Sequence, residues 1–175
     1  MHVSVLDLAV KTLQEELGES FLESFDFRGQ ITVVLKPDAI QAAASHLRNH
    51  PELQFNFLAA LTAVDYWPQS PRFHVVYQFL SMSHNVILAV RVPLEPGKPD
   101  IDSIDSIFPA ANPHEREVFD MFGITFKGSR DLRRILMPWD WEGHPLRKDY
   151  PLGEEEVQFS FNFDEVNLRK QFARE

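Results

Sequence analysis

Residues 73–92, FHVVYQFLSMSHNVILAVRV, decide how this chain is built. In FHVVYQFL, Phe73, Val75, Tyr77 and Phe79 fall at every second position and so share one face of a strand. NVILAVRV is nearly all apolar and suits a strand covered on both sides. Immediately upstream, LQFNFLAALTAV (residues 53–64) is a third strand candidate. Further back, Phe25 and Phe27 alternate with Ser24 and Asp26, and ITVVL (31–35) follows Arg28-Gly29-Gln30, the pattern of a hairpin. Two helices complete this half. Leu6, Val10, Leu13 and Leu17 recur at helical spacing before Gly18. Ile40, Ala43, Ala44 and Leu47 form a second stripe, with Asp38 expected to cap it, Gln41 three residues on, and Pro51 to end it. The order helix, two strands, helix, three strands predicts an α+β fold with a mixed sheet. PLEPGKPD (93–100) reads as a boundary. The expected division is a core domain over residues 1–100 and a partner-binding segment over 101–175, made of one short helix and an extended arm.

Composition removes several functions. The 175 residues suffice for one domain with a real core, and a formal charge of −9 argues against a nucleic-acid partner, which needs clustered Lys and Arg. Zero cysteines exclude thiolate nucleophiles, cysteine-ligated zinc and iron–sulfur clusters held by this chain. The amino terminus MHVSVLDLAVKTLQEELGE has no basic region feeding an apolar run, so it does not read as a signal peptide. The longest charge-free window, Phe73–Val90, contains His74, Gln78, Ser81, Ser83, His84 and Asn85 and is too polar for a bilayer core. A soluble, cytoplasmic chain is expected.

The chemistry-bearing residues crowd into 112–151, NPHEREVFDMFGITFKGSRDLRRILMPWDWEGHPLRKDYP, which balances seven acidic against seven basic side chains. Asn112 is expected to cap a helix, with Pro113 at its first position, Glu115 reaching back in a capping box, and Gly123 supplying the left-handed stop. Val118, Phe119, Met121 and Phe122 fall on one side; Arg116, Glu117 and Asp120 gather on the other, Arg116 and Asp120 as an i,i+4 pair. Glu117 and Asp120, with His144, are the only group that suggests a stand-alone acid–base enzyme, and Arg116 would neutralise its carboxylates. His114 with its neighbouring glutamates, and His144 with Asp140 or Glu142, match no known metal spacing. The cations Arg130, Arg133, Arg134, Arg147 and Lys148 lack the glycine-rich loop of a phosphate site. An interface suits them better, since Arg and Trp carry binding energy in desolvated patches and Trp139 and Trp141 stand among them. Pro138, Pro145 and Pro151 predict an extended arm from Gly128, mobile when unpartnered unless it folds back with its tryptophans closing the core.

At these residues a resemblance emerges. EREVFDMFGITF (115–126), DLRRIL (131–136) and GHPLRKDYP (143–151), in that order, closely resemble the signature of the C-subunit family of proton-translocating NADH:quinone oxidoreductase, a peripheral-arm family of respiratory complex I. LTAVDYWP (61–68) and the strands after it resemble the family's core domain. Glu115, Arg116, Glu117, Asp120, Gly123, Asp131, Arg133, Arg134, Gly143, His144, Pro145, Arg147, Lys148, Asp149 and Pro151 match the signature, while Pro113-His114 and Gly128-Ser129-Arg130 depart from it. The resemblance implies a peripheral subunit on the cytoplasmic face of the membrane, or the matrix or stromal side in an organelle. It implies packing against a protein related to the hydrogenase large subunit, beside neighbouring peripheral-arm subunits. FMN, iron–sulfur clusters and quinone are then used by the complex and none is bound by this chain, which alone is expected to be inactive. Equivalent subunits occur in membrane-bound hydrogenases and the photosynthetic NAD(P)H dehydrogenase-like complex. The residues expected at the partner interface are Glu115, Arg116, Glu117, Asp120, Arg133, Arg134, Trp139, Trp141, His144, Arg147, Lys148 and Asp149, as assembly residues rather than catalysts.

Overall fold

The computed structural model of the chain describes residues 4–95, 97–151 and 161–169. Residues 152–160 and 170–175 of the expected partner-binding segment, Pro96 of the linker and the first three residues lie outside the described residues. Helix α1 (Val5–Leu17) begins where Ser4 accepts the Asp7 amide at 3.1 Å and ends at Gly18. Strands β1 (Phe21–Phe27) and β2 (Gln30–Leu35) form the expected hairpin, turned through Arg28 and Gly29, both at positive φ. Such a turn matches the twist of the strands it joins. Helix α2 (Ile40–Asn49) buries the expected stripe, but a tight turn over Pro37–Ala39 precedes it and no side chain caps it. Asp38 is therefore part of the turn and not a cap, and Gln41 instead donates to the Ser103 carbonyl at 2.8 Å.

Strands β3 (Phe57–Asp65), β4 (Phe73–Ser81) and β5 (Val86–Pro93) complete a sheet of order β1-β2-β5-β4-β3. Only the β2–β5 pairing is parallel, which makes the sheet mixed, as expected. After it come β6 (Asp100–Asp102), α3 (Ala111–Phe122), β7 (Thr125–Lys127) and α4 (Phe163–Arg169). β6 and β7 pair in parallel. Three residues each is too short a run for periodicity to reveal, so this small sheet has no sequence signature.

One face of the large sheet holds the core. Val33, Leu35, Phe73, Val75, Tyr77, Phe79, Leu88, Val90 and Val92 meet Ala9 and Leu13 of α1, Ala43 and Leu47 of α2, and Val118, Met121 and Phe122 of α3. Ile101, Ile104, Phe108, Ile124 and Phe126 join the same cluster, so residues on both sides of position 100 share it. β5 departs from the expectation of burial on both sides. Leu88, Val90 and Val92 point into the core, whereas Ile87 on the other face is 43% exposed. Ala89 is buried there because it is small and lies between Thr32 and Gln78 of the adjoining strands.

Tyr77 is fully buried and stacked on Phe79, ring centroids 5.9 Å apart, with no hydrogen-bond partner for its hydroxyl. An unmade hydrogen bond in the core costs more than the bond would contribute. Tyr77→Phe is expected to raise the unfolding free energy by about 1 kcal/mol in urea titration. A loss of that size would mean that the hydroxyl is paired in solution.

Candidate functional site

Helix α3 carries the groups on which residues 128–151 are laid. Its N-cap is Ala110, without a side-chain bond. Asn112 thus lies inside the first turn, where its amide donates to the Asp131 carbonyl and Ser129 Oγ, both at 3.2 Å. Glu115 is not a capping-box residue. Fully buried, it accepts from Ser103 Oγ at 2.7 Å and the Ile104 amide at 2.9 Å. Burial pushes its carboxyl up, against the opposing pull of those two donors.

The C-terminal half of α3 provides the main anchor. Asp120, also fully buried, takes the amides of Ile135, Leu136 and Met137 on one carboxylate oxygen at 3.0, 2.8 and 2.8 Å. Its other oxygen receives Arg134 at 2.6 Å. Burial works against this charge, but the donors from Met137, Arg134, Leu136 and Ile135 outweigh it and hold the carboxyl below its ordinary range. Arg134 also reaches the Gly143 carbonyl at 3.0 Å, and His144 Nδ1 lies 2.9 Å from the Asp120 carbonyl. Arg116 does not pair with Asp120. It donates to the Arg133 and Arg134 carbonyls at 3.0 and 3.2 Å. The helical spacing of the two residues holds, but the arm occupies the space in which that pair would have closed.

The far end of the arm is fixed by the end of α3 and the β3–β4 connection. Leu146 donates its amide to the Met121 carbonyl at 3.0 Å, and Arg147 Nε binds the Phe122 carbonyl at 2.6 Å. The Lys148 amide meets buried Asp65 at 2.9 Å. Arg72 bridges the two segments, gripping Asp65 at 2.9 and 2.7 Å on one side and both oxygens of Asp149 on the other. Gly123 terminates α3 at φ +70°, as expected, and is required for a second reason: a Cβ there would stand 2.4 Å from the Arg147 guanidinium and 2.5 Å from the His144 ring.

The expected site residues thus divide. Glu115, Asp120, Arg116, Arg134, His144, Arg147, Lys148 and Asp149 are brought together as clasps within the chain. Glu117 is exposed and apart from this network, and the oxygens of Asp120 are committed to N–H donors, so the Glu117–Asp120 acid–base pair is not formed. The Arg133 side chain is 83% exposed and, among the described residues, bonds to nearby Asp131. The arm folds back, yet its tryptophans do not close the core: Trp139 is 74% exposed, and Trp141 lies half-buried with Nε1 unpaired. Nor does the arm hang free, because hydrogen bonds supply what its few apolar contacts do not. Asp65, Arg72 and Ser103 carry no sequence signal of their part in this site, since nothing local shows that they meet residues far along the chain. Among the described residues there is no group of three or more metal-ligating side chains, and no helix is long and apolar enough to cross a membrane.

Two outcomes follow from this geometry. Arg134→Lys is expected to lower the unfolding free energy by about 2 kcal/mol, because an ammonium cannot reach Asp120 and Gly143 together, whereas Arg133→Lys should cost less than about 0.5 kcal/mol. Equal denaturation midpoints for the two variants would contradict the assignment. The second concerns acid. Burial disfavours ionised Asp65, but Arg72 and the Lys148 and Trp67 amides bring it from 3.8 down to about 2. A depressed carboxylate stabilises the fold above its unfolded value, so about 2 kcal/mol should be lost as pH falls from about 4 to about 2. Glu115 acts in the opposite sense at higher pH: its carboxyl is raised, so the fold gains stability as pH falls toward 4.5. Urea midpoints measured across pH, with Arg72→Gln flattening the steep acid limb, test both.

Comparison with known proteins identifies relatives over most of the chain. The family model described as respiratory-chain NADH dehydrogenase, 30 Kd subunit, matches residues 33–156. The NADH-quinone oxidoreductase C subunit of Roseiflexus sp. (strain RS-1) is 48% identical over 166 residues, covering 95% of either chain. Its counterpart from Herpetosiphon aurantiacus is 40% identical over 166 residues, covering 94% of this chain and 97% of its own. A solved structure described as Nqo5 of the trypsin-resistant fragment (1-134) superposes with a TM-score of 0.60 at 30% identity, over 70% of this chain and 97% of that one. A chain of the membrane-bound sulfane sulfur reductase, an archaeal respiratory membrane complex, shares the fold at a TM-score of 0.68 and 22% identity, over 97% and 95% of the two chains.

Proposed function

The chain belongs to the respiratory-chain NADH dehydrogenase 30 Kd subunit family, and from that membership we propose that it holds the quinone-module subunits of a membrane-associated NADH:quinone oxidoreductase in fixed geometry. One observation carries the reading. The arm is held by polar groups turned inward on α3 and the β3–β4 connection, while apolar side chains are turned outward: Leu136 is 60% exposed, Leu146 53% and Ile135 41%, beside Trp139. An apolar surface held in place by buried polar bonds is the reverse of a free-standing segment and suits a partner that covers it.

In this reading residues 1–100 are the supporting body and 101–175 the docking segment. The partner is the hydrogenase-large-subunit-like chain with its peripheral-arm neighbours, on the cytoplasmic face. FMN, iron–sulfur clusters and quinone belong to other subunits, and this chain acts on electron transfer coupled to proton translocation through their alignment. Glu115, Asp120, Arg134 and Arg147 serve the interface indirectly, by fixing the arm, while Trp139, Arg133 and the exposed leucines meet the partner.

Replacing the chain in its cells by a Leu136→Ser, Trp139→Ser variant should leave the melting temperature of the purified chain within about 2 °C. Its recovery with the complex should fall at least about tenfold, because interface anchors carry most of the binding energy. NADH:quinone oxidoreductase activity of the membranes should fall in proportion to the complex recovered. Full assembly of the variant would refute the reading.

A further inference from the structure

The face of the sheet turned away from the core carries a cation that, among the described residues, meets no carboxylate. Arg91 leaves β5 opposite Val34 of β2 and Val76 of β4. Its guanidinium carbon stands 5.9 Å from the centroid of the Tyr66 ring, and that ring meets His74 edge-on at 4.8 Å. Arg91 Nε is buried and has no acceptor, and among the described residues Arg91 has no ion-pair partner. The chain has a net charge of −9, and the carboxylate on the same rung of the sheet, Glu23 of β1, is separated from Arg91 by Val34 and makes no ion pair with it. The next guanidinium along this edge, Arg72, is already taken by Asp65 and Asp149.

The surroundings favour a carboxylate over a phosphate. The site is a single planar fork backed by an aromatic ring, without the cluster of cations or successive amides that a phosphate demands. Trp67, next to Tyr66 in the chain, is 49% exposed. Arg, Tyr and Trp together are the residue types that dominate protein interfaces. The loop that carries Tyr66 and Trp67 runs from Asp65 to Arg72, the two residues that grip Lys148 and Asp149 of the arm. The Tyr66–Trp67 loop thus links the open cation to the far end of the arm.

We propose that Arg91, backed by Tyr66 and flanked by Trp67, receives an Asp or Glu side chain of the same partner that covers the arm. This rests on the docking role of the arm and extends the interface onto the outer sheet face. The acidic chain repels acidic partners at long range, so one uncompensated cation fixes register at short range.

The test uses the full chain, tagged, in its own cells. Arg91→Gln is expected to cut recovery of the complex with the tagged chain at least about tenfold in moderate salt, and Arg91→Lys to recover only part of it, because the charge remains while the fork is lost. The melting temperature of either purified variant should match that of the unaltered chain. In the unaltered protein, phenylglyoxal should modify Arg91 in the isolated chain and leave it unmodified in the complex. Failure of the unaltered chain to recover any complex would remove the docking reading itself. Recovery by Arg91→Gln equal to the unaltered chain, or equal phenylglyoxal labelling of Arg91 in the complex, would overturn this inference alone. Loss of recovery matched by a falling melting temperature would assign Arg91 to the fold and overturn it as well.

Discussion

A buried charge on helix α3 sets the course of everything after it. Asp120 is removed from water entirely, which would be prohibitive unless both its oxygens were hydrogen-bonded. Three consecutive amides, from Ile135 to Met137, and the Arg134 guanidinium answer them. Consecutive amides can converge on one oxygen only if the backbone curls around it, so the carboxylate dictates the local path of the arm as well as its position. Removing the carboxylate would strand four donors together, which is why the arm behaves as one unit with the helix.

The second set of bonds makes the arm a clasp rather than a tether. Arg72 spans Asp65 and Asp149, tying the end of β3 to a residue far along the chain, and Arg147 closes on the carbonyl end of α3. Cations are favoured where a helix presents its last carbonyls, and Arg147 also lies 5.3 Å from the Phe73 ring centroid. These contacts fix the far end of the arm, as Asp120 fixes residues 134–137. Leu136, whose amide is held by Asp120, and Trp139 face outward between these two anchors.

The charge balance of residues 112–151 acquires a different meaning in three dimensions. Seven acids and seven bases could have been a field for steering a partner. Instead Arg116, Arg134 and Arg147 are consumed by backbone carbonyls and Asp120, and Arg130 by Asp105. What remains outward mixes the apolar Ile135, Leu136, Trp139 and Leu146 with charged residues, Arg133 among them. In the proposed docking role, binding would draw its strength from desolvation of the apolar side chains, with the inward polar groups holding their shape.

The sequence by itself determined the class of the fold, most of its elements and the family. Alternation at every second residue in Phe73–Phe79 and the stripe from Ile40 to Leu47 are local patterns, imposed by burial of one face, and they require no knowledge of distant residues. The signature blocks were legible for the same reason: their order along the chain is a linear property. Tertiary structure alone decided how those blocks are used. Whether Arg116 pairs with Asp120 or with a carbonyl seventeen residues on, whether Glu115 caps its own helix or binds Ser103, and whether Arg134 faces a partner or a buried carboxylate all depend on which segments fold together. Side-chain polarity along the chain says that a group needs a partner; only the packed chain determines which one it finds, because desolvation makes the nearest available donor or acceptor obligatory.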